Sequence, residues 1–170
     1  MAMAWIDKNG GNPAKARFVE IPFPQMESAL ASGTVDAAST HEPFVTASLA
    51  KGVTRLLAHN WGEVVPKFLI ASWFGSYKWL QKNRDMVNSF TRAMNQAIDV
   101  INTDIQATRN LMIKWTGLDA DLTKKVALPV FEKGISEKDV QVTIDLAYKY
   151  KLIARAFKAK EVISELTLKS

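Results

Sequence analysis

The spacing of apolar residues divides the chain in two. Up to Leu57 the apolar runs are short, and strand-like and helix-like stretches alternate; beyond Lys67 the three-and-four spacing of helices dominates. Residues 3–9 read as the end of a helix, closed by Gly10–Gly11, with a turn at Asn12–Pro13. A strand is predicted at Ala16–Ile21, stopped by Pro22 and Pro24. Gln25–Ser32 follows as a helix with Met26, Ala29 and Leu30 on one face and Gly33 as the residue that ends it. Thr34–Ser39, small and β-branched, is the next predicted strand. Strand, helix and strand would form a right-handed crossover with parallel strands. Pro43 suits the first position of a helix that runs to about Ala50 and ends at Gly52, and Val53–Leu57 is a third candidate strand.

His59–Pro66 has no period and separates the two regimes. Lys67–Phe74 is the strongest candidate strand. Met86–Thr103 places Phe90, Met94, Ala97, Ile98 and Ile101 on one helical stripe. Ile105–Thr116 continues with Leu111, Met112 and Trp115, and Gly117 closes it. Asp119 or Asp121 can cap a short helix through Ala127, and Ser136 with Asp139 three residues on resembles a capping box that opens a helix to about Tyr150. Trp73, Trp79 and Trp115 fall in these patterns and are expected in the core. The fold class expected from this grammar is α/β.

Composition narrows the picture modestly. The 170 residues are 48% hydrophobic and 23% charged, which is a globular balance. The longest apolar runs, such as 68–74, are too short to span a bilayer, and the first residues lack the pattern of a signal peptide. The net charge of +5 is spread along the chain, so no nucleic-acid partner is expected, while small anions are favoured. With no Cys, disulfides, thiolate nucleophiles and iron–sulfur ligation are excluded.

Candidate chemistry gathers at the ends of the first two predicted strands. Phe23, Pro24 and Gln25 end one; Ser39, Thr40, His41 and Glu42 end the other. In a parallel unit both ends lie on the carboxyl edge, where open α/β sheets bind ligands. Ser39 and Thr40 offer hydroxyl donors and Gln25 an amide, and the helices starting near Gln25 and Pro43 would aim free N–H groups there. That chemistry suits sulfonate, carboxylate or phosphate. Each residue also has a plainer reading. Glu42 is a favourable charge at a helix start, and His41 beside a turn is ordinarily a surface or hydrogen-bonded residue. Asp36 is expected to bond the backbone locally. Trp61 can stack on a ligand or simply pack.

The stretch Phe18–Phe44 carries a resemblance. A proline-containing turn leads to Ala29-Leu30-Ala31-Ser32-Gly33, then Val35-Asp36-Ala37, then Glu42-Pro43-Phe44. In that order these resemble the nitrate/sulfonate/taurine and NMT1/THI5-like group of substrate-binding proteins of ABC importers. The run from Phe68 to Asp104 is similar to the group's return strand and long helix, and the run from Gly134 to Ile153 to its late helix. The resemblance implies part of a type 2 periplasmic-binding-protein fold, two α/β lobes with a hinge and a ligand between them. It implies that residues 1–57 are the later part of lobe two, 58–66 the hinge crossing, and 67–170 the C-terminal contribution to lobe one. An N-terminal half would then be missing, and this chain alone would bind ligand weakly or not at all. It further implies a small anionic solute held by Phe23, Gln25, Ser39, Thr40, His41, Glu42 and Trp61, an ABC permease as partner, a periplasmic or lipid-anchored location for a full-length parent, and no cofactor. The return strand would lack neighbours, so self-association or strand exchange is expected.

Catalytic patterns are poor. There is no G-x-S-x-G elbow and no phosphate-binding loop, and adjacent His41 and Glu42 cannot act as a helical metal pair, so no metal site and no enzyme are expected. Two rivals remain inside the resemblance. One is a THI5-like pyrimidine-precursor synthase using pyridoxal phosphate, whose Cys-rich motif this chain lacks. The other is the effector-sensing domain of a transcription regulator, which needs a helix-turn-helix that these residues do not show.

Overall fold

Most helices form where the spacing places them, because helical hydrogen bonds are local and need no distant partner; Asn60–Val64, in a stretch without a period, is helical as well. In the computed structural model, which describes residues 1–167, the helices are α1 (Ala2–Lys8), α2 (Met26–Ala31), α3 (Phe44–Ala50), α4 (Asn60–Val64), α5 (Tyr77–Lys82), α6 (Arg84–Thr103), α7 (Ile105–Thr116), α8 (Ala120–Lys125) and α9 (Glu137–Lys149). Several ends follow the expected chemistry. Asp119 accepts from the N–H groups of Asp121 and Leu122, both at 2.9 Å, and Ser136 Oγ accepts from Asp139 N–H at 3.4 Å. Gly33, at φ 69°, turns the chain out of α2 while the Thr34 N–H returns to the Ala29 carbonyl at 2.9 Å.

The strands do not form. Among the described residues there is no strand, so the expected α/β class, with its strand–helix–strand unit and its two sheet-containing lobes, is not the architecture of this chain. The segments 16–21, 34–39, 53–57 and 67–74 keep strand-like composition but lie outside regular structure. The physical reason is that β propensity measures how well a side chain fits a pleated, half-buried surface. A strand needs neighbours to supply both the ladder and that surface, and these segments do not pair with one another.

The chain falls into two compact units, Met1–Val64 with Gln106–Pro129, and Val65–Ile105 with the chain from Val130 on. In the first, α1 packs on α4 and α3 on α8. Trp5 Nε1 donates to a Glu63 carboxylate oxygen and Lys8 Nζ to the Glu63 carbonyl. The Arg109 guanidinium donates to the carbonyls of Thr123 and Val126, which tethers α7 to the end of α8. The interior here is small: Ala4 and Val126, with Ser48, Thr108 and Thr123 buried beside them.

In the second unit Lys67 lies between Glu132 (2.9 Å) and Asp139 (3.6 Å), Lys133 pairs with Asp99 at 2.6 Å, and Arg84 with Glu165 at 2.7 Å. Gln141 accepts from Ala159 N–H at 2.8 Å and donates to the Phe157 carbonyl at 3.1 Å, fixing the C-terminal turn on α9. Ile144 and Ala159 are its buried apolar residues among those described. The apolar stripe of α6 is half-covered at Met94, Ala97, Ile98 and Ile101, and Phe90 stays 44% exposed. The tryptophans expected in the core are not there: Trp73, Trp79 and Trp115 are 73%, 47% and 80% exposed. Trp73 meets Phe90 edge-on with ring centroids 5.4 Å apart, and much of each ring still faces solvent.

Candidate functional site

The first unit brings most of the candidate residues of Phe18–Phe44 together without a sheet. Pro22 and Pro24 hold a single 3-10 turn at Phe23–Gln25, which leads directly into α2. Four residues, Ser39–Glu42, then lead into α3 through a cis Glu42–Pro43 peptide bond. These two approaches set three rings against one another. Phe23 and His41 meet edge-on with centroids 4.1 Å apart, Phe23 and Phe44 stack at 6.0 Å, and His41 and Phe44 meet edge-on at 5.7 Å. The His41 Nδ1 atom lies 2.7 Å from the Glu42 carbonyl oxygen and donates to it. Phe23 stays 40% exposed, so the ring cluster opens to solvent on one side.

Beside the rings stand two hydroxyls with different needs. Ser39 Oγ accepts from Asn60 Nδ2 at 2.9 Å and from Trp61 Nε1 at 3.4 Å. Two acceptances use both lone pairs, so the Ser39 O–H proton is directed to a third group. Thr40 Oγ1 is screened from solvent and makes no hydrogen bond. A screened hydroxyl without a partner is unfavourable by roughly 1–3 kcal/mol, so this one is primed for an acceptor. Ser39 and Thr40 directly precede His41, so hydroxyl donors and aromatic rings come from one short segment, a combination that suits a small molecule with a flat or apolar part and acceptor oxygens.

Glu42 and Gln25 stand differently. One Glu42 oxygen accepts from Thr46 N–H at 3.1 Å and the other from Thr46 Oγ1 at 2.8 Å. Both oxygens are thus engaged in holding the first turn of α3. Gln25 is exposed at the entry to α2; its carbonyl accepts from Ser28 Oγ at 2.8 Å, and its amide side chain bonds to nothing among the described residues. Asp36 is exposed and does not form the local backbone bond expected of it. Sequence reasoning missed two contributors. Phe44 was visible only as the aromatic of the Glu-Pro-aromatic step, and Asn60 as the polar neighbour of Trp61.

Among the described residues no cluster of His, Asp or Glu could hold a metal ion, and no helix is long and apolar enough to cross a membrane. No curated protein and no solved structure matches the chain. The NMT1-like family matches residues 1–117, which include all of the ring cluster, both hydroxyls and the Asn60–Trp61 pair. That match covers more than half of the 170 residues, and the chain belongs to the NMT1-like family.

Proposed function

We propose that this protein binds a small organic or inorganic anion of the sulfonate, nitrate or taurine class as the solute-binding component of an ABC importer, without making or breaking bonds. The observation that carries the reading is the screened, unpartnered Thr40 hydroxyl beside the donor-directed Ser39 hydroxyl and the Phe23–His41–Phe44 rings. Two O–H donors suit the oxygens of a sulfonate or nitrate, while the rings cover the rest of the molecule. Membership of the NMT1-like family supports a substrate-binding role. On this reading the partner is a permease, and a full-length parent works outside the cytoplasmic membrane. A THI5-like synthase is the alternative within the family; an absorbance band of bound pyridoxal phosphate would favour it.

The test is a thermal-shift series with taurine, an alkane sulfonate and nitrate, each up to about 100 mM because this chain alone is expected to bind weakly, on the protein and on Thr40→Val. A ligand at ten times its dissociation constant stabilises by about 1.4 kcal/mol, enough to move the melting temperature by several degrees. Thr40→Val should raise the stability of the ligand-free protein by about 1 kcal/mol, because the unpaired hydroxyl is gone, and should abolish the ligand shift. No shift with any of the three anions, or an undiminished shift in Thr40→Val, sinks the proposal.

A further inference from the structure

The chain exposes far more surface than its mass requires. Its accessible area is 12384 Å² for 18.9 kDa. A compact monomer of that mass exposes about 8,300 Å², and even two separate compact bodies of half the mass expose about 10,000 Å². The excess is therefore about 2,000–4,000 Å² per chain, however the two units are arranged. The most concentrated apolar part of it lies in the second unit, where Ile70 is 61% exposed, Trp73 73%, Phe74 98% and Tyr77 76%. The backbone agrees with the side chains: among the described residues, 69–75 make no backbone hydrogen bond within the chain. A non-helical stretch with unpaired N–H and C=O groups and bare apolar side chains is what strand addition uses.

We propose that residues 69–75 form the centre of a two-fold interface between two copies of this chain, each lending the other the partner that its backbone lacks. Three observations select a second copy. A transient partner, which covers about 800 Å² per side, would leave most of the excess area bare, whereas an obligate homodimer covers several times that. Residues 68–77 carry no charged side chain, so two chains of net charge +5 can meet there without like charges facing each other. The length also fits: seven residues are one ordinary strand, and an antiparallel pairing about Ser72 brings each stretch against its own sequence, as an isologous contact requires. In that pairing Ile70, Ser72 and Phe74 share one face, and Leu69, Ala71 and Trp73 the other. This inference is independent of the anion site, which lies in the first unit.

Sedimentation velocity from about 1 to about 100 µM tests it, with Ser72→Pro and Phe74→Asp as variants. The wild-type chain should sediment as a dimer, at twice 18.9 kDa. Ser72 is exposed and its N–H bonds to nothing among the described residues, so proline there should leave the helical circular dichroism unchanged while blocking the ladder. Both variants should weaken association by about 100-fold or more. Phe74→Asp keeps the test decisive if proline perturbs folding, since the Phe74 ring is almost wholly in solvent. A wild-type chain that stays monomeric throughout, or a dimer that survives both substitutions, overturns the proposal.

Discussion

Single side chains here are held mainly by polar contacts, and Glu63 shows how. Its carboxyl is kept below the usual value of 4.5, first by the hydrogen bond from Trp5, and then by the His59 backbone N–H, the His59 charge and the Lys8 charge. The folded form thus favours the carboxylate. A depressed acid contributes stability that is present above the unfolded value and lost as pH falls through the folded one. The α1–α4 contact should therefore weaken between about pH 5 and about pH 3, read as the pH dependence of urea unfolding followed by tryptophan fluorescence. Glu63→Gln should flatten that dependence; an unaltered acid profile in the variant would remove Glu63 from the account. Lys67 runs the other way, its ammonium pKa raised above 10.5, first by Glu132. Its contribution is complete below that value and lost only at strongly alkaline pH. The site residues were legible as a group, because hydroxyls, His and ring side chains recur within Phe23–Phe44. The engagement of Glu42 with Thr46 and of Ser39 with Asn60 was not, since both depend on where α3 and α4 lie in space.

At the scale of elements, local signals were accurate and non-local ones failed. The C-terminal end of α6 and the ends of α7 and α9 follow from spacing, from Gly117 and from the Ser136 cap, and of the two expected caps it is Asp119 that opens α8, which ends at Lys125 rather than Ala127. Asp119→Ala removes the acceptor for two N–H groups and should destabilise the first unit by about 1 kcal/mol, while Asp119→Asn should restore most of it. Chemical denaturation of both variants measures this, and equal stability of Asp119→Ala and wild type would show the cap to be idle. Four stretches read as strands for good compositional reasons and remained unpaired. Alternation in sequence says which side chains could face a sheet; it does not supply the sheet.

The whole molecule is dominated by surface. Buried apolar residues are few in both units, and large ones such as Trp73, Phe74, Trp115 and Val130 stand in water. Where a second copy covers them, stability depends on concentration. The melting temperature of the wild-type chain should rise by several degrees between about 1 and about 100 µM, and that of Ser72→Pro should not. The heat-capacity change of the variant should fall below the usual 12–15 cal/mol/K per residue, roughly, because little apolar surface is buried to be exposed. A concentration-independent melting temperature in the wild type, by differential scanning calorimetry, would contradict this.

By itself the sequence determined most of the helices, the Asp119 and Ser136 caps, the family signature between Phe18 and Phe44, and the residue types of the candidate site. Those depend on bonds three and four residues apart or on short motifs, and such information is complete within a few turns of chain. Only the tertiary structure decided that the strand-like segments stay unpaired, that the tryptophans face outward, and that Thr40 is screened without a partner. Those outcomes turn on what surrounds a residue at long range, and composition and spacing do not encode whether a neighbour is there.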